Sequence, residues 1–462
     1  MINLIRNELS KIFHRKVIYV LGIVSVGIIF LNFIIYLLSS NMVKTINEAS
    51  SSIIEQNLSS YDLNNPEQFE YYVNQKAELD IVKLQKEYDY YSWEYATLEN
   101  NFREPIRCMV EAEHKKDYEM LDSCKKTKEE YLEKLKDGDW KFFIELDREQ
   151  YSNSEIDIPG AKTRLEMLDY RIKHEVPYSY DNKSLLIENF IELSSQYEGL
   201  LDEDLYNSYE EKQTASDIKA RYMETKYILD NDIEIAREDD VSNILKMTFS
   251  GTIFFAVIVV ILIGGSIIAD EFNKGTIKQL LLKPYTRTQI ILSKYITCII
   301  VFFLYMLFYL LCSTIIYGFL HGWSSLGIPV IVYNHTTGNV MEISIWSYVF
   351  MHILSLLPLY LILMTAALFI GTISGSTVLS IAISFVGYFM SSIVSLAANS
   401  VKYKFLRYFP TLCWDLSEYL YGGMSSYKYG TLLNSIIVDV VTIVILVAGT
   451  IIVFNKKEIK NQ

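Results

Sequence analysis

The sequence predicts an all-α integral membrane protein of six transmembrane helices, with a large helical extracytoplasmic domain between the first and second. Three observations predict it. Apolar residues gather into long charge-free blocks, and a run of about 18 or more such residues is a candidate transmembrane helix. Charge is split: residues 41–245 hold 25 Lys plus Arg against 47 Asp plus Glu, a net −22, while the remainder carries +9. Within the acidic block, apolar residues return every three or four positions, which is one helix face. Two environments, rather than one globule, follow from that asymmetry.

Residues 17–38, 247–269 and 295–320 are uncharged. Residues 345–398 form a charge-free run of 54. As one helix this run would measure roughly 80 Å, against a hydrocarbon core of about 30 Å. It must fold back once, and Gly371, Thr372, Ile373, Ser374, Gly375 and Ser376 supply the natural turn. The last span is 433–454, with one acid, Asp439. The first apolar stretch has 22 residues, more than the ~7–15 of a signal peptide, and no A-x-A site follows it. It reads as a permanent signal anchor. The domains are thus 1–40 (interfacial helix and first span), 41–245 (acidic helical insert) and 246–462 (spans two to six).

Orientation follows the Lys/Arg bias beside the spans. Arg6, Lys11, Arg15 and Lys16 precede the first span. Lys274, Lys278, Lys283, Arg287 and Lys294 lie between the second and third, and Lys456, Lys457 and Lys460 follow the sixth. Six spans put all of them, and both termini, on the cytoplasmic side of a cell membrane, with 41–245 extracytoplasmic. One loop resists: residues 399–432 would lie outside, yet hold Lys402, Lys404, Arg407 and Lys428. A five-span alternative needs the 54-residue helix, so length prevails over charge. The loop's aromatics, including Tyr403, Phe405, Tyr408, Phe409, Trp414, Tyr419 and Tyr421, suggest short interfacial or re-entrant helices holding these cations at headgroup level.

In the insert, a helix starts at Asn65-Pro66, a cap and first-turn pair. Phe69, Val73, Ala77, Ile81, Leu84, Tyr88, Tyr91, Tyr95, Leu98 and Phe102 mark its face. A second helix starts near Pro105 and ends at Asp137-Gly138-Asp139; a third follows Pro159-Gly160. The last, from about Thr214, is expected to run on into span two. The many tyrosines admit two readings: a surface for a substrate or partner, or rings packed between helices with hydroxyls in water. The acidity could attract cationic peptides or be a solvated face.

Chemical motifs are sparse. There is no GxxxxGK[ST] phosphate loop, HExxH, GxSxG or paired metal spacing, so no catalytic or metal residue is nominated. The six His (His14, His114, His174, His321, His335, His352) are dispersed. His352 and Asp439 fall within spans and are candidate pathway residues, because intramembrane ionisable groups tend to be functional; an interhelical hydrogen bond is the plainer alternative. No CxxC occurs. Cys298 and Cys312 read as apolar packing residues. Cys108 and Cys124 share the insert and are a candidate disulfide if it lies outside the cell.

The most informative segment follows span two. It ends in Asp270 and Glu271; Gly275-Thr276 allows a break and a cap; 277–282 forms a short amphipathic helix that Pro284 stops; 286–294 starts span three. A short helix lying at the membrane surface between two spans could dock into a groove of a soluble partner. Any basic cytoplasmic loop is the plainer reading, but orientation alone does not require this Gly-Thr, Pro and Arg placement.

This segment resembles the coupling segment of type-2 ATP-binding-cassette transporter permeases: an acid, Gly-Thr, a Leu pair, a Pro, an Arg and a Lys entering the next span. The matching positions are Glu271, Gly275, Thr276, Leu281, Leu282, Pro284, Arg287 and Lys294, at about 271–288. The segment from Asn7 to Lys16 resembles the family's interfacial helix ahead of span one, and Tyr408-Phe409-Pro410 with Trp414 its loop before the last span. The long insert departs from compact members, so their substrates do not carry over. The resemblance implies a permease subunit of an ATP-driven exporter. Two permease copies would pair, in membrane lipid, each bound by a separate cytosolic ATPase that holds ATP and Mg. The coupling residues would include Lys278, with Lys278 and Arg287 meeting acids on the ATPase and Glu271 bonding back to the coupling or N-terminal helix. The chain itself would be no enzyme, hold no cofactor and bind no nucleic acid. Its expected cargo is an amphipathic, antimicrobial-like peptide, with lipid or sodium as other cargoes. The alternative is a membrane-anchored sensor or scaffold whose ectodomain binds a peptide or envelope component.

Overall fold

The computed structural model describes residues 1–152, 161–200, 208–237, 240–401 and 403–457. They form two compact units: 1–31 with 236–462, and 32–235. The sequence placed the acidic insert at 41–245; its last ten residues belong to the first unit.

The chain opens with α1 (Ile2–Phe13) and α2 (Lys16–Asn57). The axis of α1 is bent by 62° from the start of α2. Leu4, Glu8 and Ile12 are buried, a stripe with a step of four.

The regular elements of the second unit's described residues are all helices, joined by short turns and loops: after α2 come α3 (Pro66–Gln85), α4 (Trp93–Asn101), α5 (Arg103–Lys115), α6 (Tyr118–Lys136), α7 (Trp140–Ser152), α8 (Ala161–Lys173), α9 (Asn182–Gly199) and α10 (Tyr209–Asp230). Asn65 caps α3 through Glu67 N and Gln68 N, with Pro66 in the first turn, as its residue types require. The helix expected over 65–102 is two helices. Asp89 Oδ1 accepts from Tyr91 N and Ser92 caps α4 through Tyr95 N, so polar side chains end one helix and start the next while the apolar face continues across both. The helix expected from Pro105 to 137 is also two. Lys116 takes a left-handed φ of 55° and Asp117 caps α6 through Met120 N. Pro159 and Gly160 lie outside the described residues.

Ala77, Ile81, Leu98, Phe102, Ile106, Leu135 and Phe143 form one core between α3 and α7, and Met167, Val176, Ile187, Phe190 and Leu229 a second between α8 and α10. Ile144 and Leu168 join Ala96 and Tyr178 between them. Arg171 is buried, spending its guanidinium on Pro177 O, Ser184 Oγ and Glu188 Oε1 at 3.0, 3.0 and 2.8 Å. It thereby fixes the loop between α8 and α9. Tyrosines pack among themselves, as Tyr90 on Tyr180 with ring centres 4.8 Å apart, but their hydroxyls seek carboxylates: Tyr180 donates to Glu99 and Tyr178 to Asp147, both at 2.5 Å. Cys108 and Cys124 are joined as a disulfide between α5 and α6, Cα atoms 6.0 Å apart.

The first unit continues with α11 (Val241–Ile267), the short α12 (Ala269–Asn273) and α13 (Ile277–Leu281), and α14 (Arg287–His321). The helix expected to run unbroken from about Thr214 into span two is interrupted instead. Asp232 has a φ of 50°, and Asp240 and Asn243 bond the backbone at Ala236 and Arg237. After α14 comes an antiparallel hairpin, β1 (Val330–Asn334) with β2 (Asn339–Ile343), Val332 facing Met341. The all-α expectation did not include it; five-residue strands leave little alternation to read.

Then follow α15 (Ile345–Ser355), α16 (Leu357–Ser374), α17 (Thr377–Val401) and α18 (Leu432–Lys456). The 345–398 run folds back at Gly375, whose φ of 66° suits glycine. Pro358 lies in the first turn of α16. It cannot donate to Leu354 O, which accounts for the break from α15. α11 and α16 pack closely: a Cβ on Gly264 would lie 2.6 Å from Met364 O. Short 3-10 helices occupy 404–408, 410–412 and 416–422. There Lys404 and Lys428 lie over the Tyr429 ring and Arg407 over Tyr408. Lys402 lies outside the described residues. Five described helices are long and apolar enough to cross a membrane, or six if α1 with the start of α2 counts as one broken span.

The disulfide closes a loop of 16 residues. Cys124→Ala should lower the stability of the second unit by about 3 kcal/mol on the loop-entropy argument. Thermal unfolding of the full chain with and without dithiothreitol checks this. An unchanged midpoint for both the reduced protein and the variant would contradict it.

Candidate functional site

Three helices, α11, α16 and α18, end at the same place, around α12 and α13. The last turn of any helix leaves carbonyls without intrahelical partners and carries the negative end of the dipole. Here each end meets a cation. Lys294 Nζ donates to Ile267 O of α11 at 3.2 Å. Lys457 Nζ donates to Thr372 O and Ile373 O of α16 at 2.7 and 2.9 Å, and lies 4.3 Å from the Phe272 ring. Arg287 Nη1 donates to Phe454 O, Asn455 O and Lys457 O at the end of α18, at 3.0 to 3.1 Å.

Lys294 also anchors a buried ion cluster. It is fully buried and lies 2.7 Å from Glu8 Oε2 and 2.9 Å from Glu271 Oε1. Lys11 bridges the same two acids, 2.9 Å from each. Two acids and two bases sum to zero: Glu8, Glu271 and Lys294 are buried, and the part-exposed Lys11 closes the cluster from its solvent side, which makes burial of the other three charges tolerable. A second neutral pair stands beside it: Arg15 reaches Asp270 Oδ2 at 2.8 Å and Ser266 Oγ at 3.1 Å, and Thr377 Oγ1 donates to Asp270 Oδ1 at 2.7 Å. The cluster thus ties α1 to α12, α14 and α17. Burial works to raise the Glu8 pKa, but Lys294 and Lys11 overcome it and hold the carboxyl below its ordinary value. Burial likewise opposes the charge on Lys11, and Glu271 and Glu8 hold its ammonium above the ordinary lysine value.

The connector held by this cluster is short and one-sided. Gly275 has a φ of 68°, open to glycine, and separates α12 from α13. Ile277 and Leu280 are buried; Lys278, Gln279, Leu282, Lys283 and Pro284 are exposed, Leu282 at 86 %. Thr276 precedes α13 but makes no side-chain cap. The cap lies at Thr286, which forms a reciprocal capping box with Gln289 at the start of α14.

The residues singled out from the sequence are thus distributed unequally. Glu271, Gly275, Thr276, Lys278, Leu281, Leu282, Pro284 and Arg287 fall together on the connector and its ends. Glu271 bonds to Lys11 of the N-terminal helix. Arg287 is engaged within the chain rather than pointing outward. His352 lies apart on α15, its Nδ1 2.9 Å from Tyr348 O and its ring against Tyr348. Asp439 is buried at 2 % exposure, and neither carboxylate oxygen has a hydrogen-bond partner among the described residues. Among the described residues no group of His, Cys, Asp and Glu could hold a metal ion. Sequence reading missed the partnership of Glu8, Lys11 and Lys294. Its traces were present: an i, i+3 acid–base pair on α1, and a lysine about two turns inside an apolar helix.

The fold and site define a mostly helical membrane protein in which a basic, cation-capped connector joins two long apolar helices. The chain belongs to the family described as "Protein of unknown function (DUF2705)", which matches residues 211–460. It is 26% identical over 201 residues to the Bacillus subtilis (strain 168) protein called "Uncharacterized protein YhcI", covering 44% of this chain and 64% of that protein. The match therefore spans less than two thirds of that relative. No solved structure matches.

Lys294→Ala would leave Glu8 and Glu271 facing Lys11 alone and should cost about 3–5 kcal/mol. A double-mutant cycle with Glu8→Gln, read by thermal unfolding, should give a large coupling energy; strictly additive effects would argue against a shared cluster. Because the Glu8 pKa is lowered on folding, its stabilisation is present above the ordinary carboxyl pKa of 4.5 and is lost as pH falls from there through the lowered folded value. The unfolding midpoint should fall on acidification below about that pH, and fall less in Glu8→Gln.

Proposed function

We propose that the chain is the membrane-spanning permease subunit of an ATP-driven exporter, with its ATPase on a separate chain. One observation carries the reading: a single-turn helix, α13, buries Ile277 and Leu280 on its inner side and, with the residues that follow it, leaves Lys278, Gln279, Leu282 and Lys283 exposed, directly after the α12 segment that the charged cluster holds. A soluble motor that gripped this turn would act on α11 and α14 together, and through Glu271, Lys294 and Lys11 on α1. The chain's part is conformational transmission, not bond chemistry.

In this reading the basic ends face the cytosol, residues 41–245 lie outside the cell, and a second permease copy completes the pathway. The disulfide supports the outside placement, since such bonds persist in oxidising compartments. His352 and Asp439 are candidates to line the path, Asp439 because a buried carboxylate without partners is costly to keep. The cargo is an amphipathic peptide of positive charge; the net −22 of residues 41–245 supports a cationic one. A sensor or scaffold reading draws on the second unit, which has its own apolar clusters and disulfide.

Co-expression of the full chain with the phosphate-loop ATPase encoded nearest to it, followed by purification, should recover a complex. Leu282→Asp should weaken that complex by roughly tenfold or more, as a charge set in an apolar contact does, while leaving the unfolding midpoint of the exposed site's host chain within about 1 °C. Absence of any complex, with the chain folded and bound to its ectodomain ligand alone, would favour the sensor.

A further inference from the structure

Between the α1–α2 corner, the end of α11, α12 and the start of α17 lies a cavity of about 340 Å³. Its composition changes from one side to the other. Arg15, Lys16 and Lys274 stand at its rim with Asp270, Ser266 and Thr377, whereas Val17, Ile18, Leu262, Ile263 and Ile381 form an apolar wall. The charges do not cancel. Asp270 is already matched by Arg15 at 2.8 Å. Lys16 and Lys274 are exposed and have no acidic partner among the described residues, so the rim carries an uncompensated charge of about two.

A second crevice adjoins the first and shares Ile18 and Ile263 with it. It measures about 530 Å³ and is lined by apolar and aromatic side chains of α2, α11 and α14, among them Tyr305 and Phe308, with no charged residue. The two spaces therefore differ in one respect that matters: only the first combines an acyl-compatible wall with cations. An occupant must match both halves. A soluble anion would use the cations and leave the wall wet. A neutral lipid would cover the wall and leave two ammonium groups without a counter-charge.

We infer that the first cavity is a binding site for one anionic glycerophospholipid, its phosphate between Lys16 and Lys274 and its upper acyl chain against Ile18, Ile263 and Ile381. The site depends only on placement of these helices in a membrane, not on transport or on an ATPase partner. Its position against the Arg15–Asp270 pair makes the lipid a further tie between the start of α2 and α17. Basic residues beside a bilayer commonly recognise anionic headgroups, and here they flank a formed cavity rather than a flat surface.

The test uses the full-length protein, purified in detergent and stripped of lipid. Dioleoyl phosphatidylglycerol, dioleoyl phosphatidylcholine or inorganic phosphate is added, and native mass spectrometry reads retained lipid alongside the unfolding midpoint. The glycerol lipid should be retained roughly tenfold more than the choline lipid and raise the midpoint by a few degrees more. Lys16→Gln with Lys274→Gln should abolish that preference. Arg6→Gln with Lys283→Gln removes the same charge elsewhere and should preserve it. Gly22→Leu, whose added carbons would meet the Phe308 ring in the second crevice, should also preserve it. Equal retention of the two lipids would overturn the inference, as would a midpoint shift reproduced by phosphate alone, or an equal loss of preference in the control pair. If the first double variant cannot be recovered, the comparison of the three additives on the unaltered chain still decides.

Discussion

The membrane unit depends on how three helices that end together dispose of their last carbonyl groups. In water those groups would be solvated. At the end of a packed apolar bundle they need donors from the protein. Lys294, Lys457 and Arg287 supply them, one per helix end, two from the first turns of α14 and one from the C-terminal residues. The caps therefore also act as cross-links: α14 to α11, the C-terminal residues to α16, and the start of α14 to α18. A cation at a helix C-terminus is favoured by the dipole as well as by the hydrogen bond.

Once Lys294 is buried to reach Ile267, its charge has to be met, and this requirement organises α1. Glu8 and Glu271 surround the ammonium, and Lys11 restores neutrality. The stripe of Leu4, Glu8 and Ile12 is then more than an apolar face with one intruder; the acid sits where the buried base needs it. A neutral cluster with three of its four members buried has sharp geometric demands, because a displaced member leaves a bare charge. That sharpness keeps α12 and α13 in a fixed relation to three long helices. The connector's outward turn inherits this rigidity, which is the property a force-transmitting element would need.

The second unit solves a different problem, the accumulation of negative charge. It places tyrosine hydroxyls on acids, as at Glu99 and Asp147, and spends a buried arginine on Glu188. Burial pushes the Asp147 pKa up, while the hydrogen bond from Tyr178 and the charge of Arg164 pull against it. Tyrosine suits the task because one ring fills the space between helices while its hydroxyl donates to a carboxylate. The abundance of tyrosine has a structural cause here, whatever it contacts outside.

Hydrophobic blocks of membrane length, the return of the 345–398 run near Gly375 and a short helix ending before Pro284 were all legible from residue order. Each rests on local rules: length against bilayer thickness, a left-handed φ that suits glycine, the missing N–H of proline. Local rules also misled. Apolar periodicity ran straight through 86–92, and Pro105 and Gly138 framed a single helix across Lys116, because neither a continuous packing face nor end signals show a backbone break that only Asp89, Ser92 and Asp117 reveal. The hairpin was too short to alternate visibly. Which residues share a cluster could not be read at all: Glu8 and Lys294 are 286 positions apart, and nothing in either neighbourhood names the other. The sequence alone determined which segments are apolar, helical and basic. Only the tertiary structure decided which cation meets which helix end, because a hydrogen bond depends on distances that the order of residues does not contain.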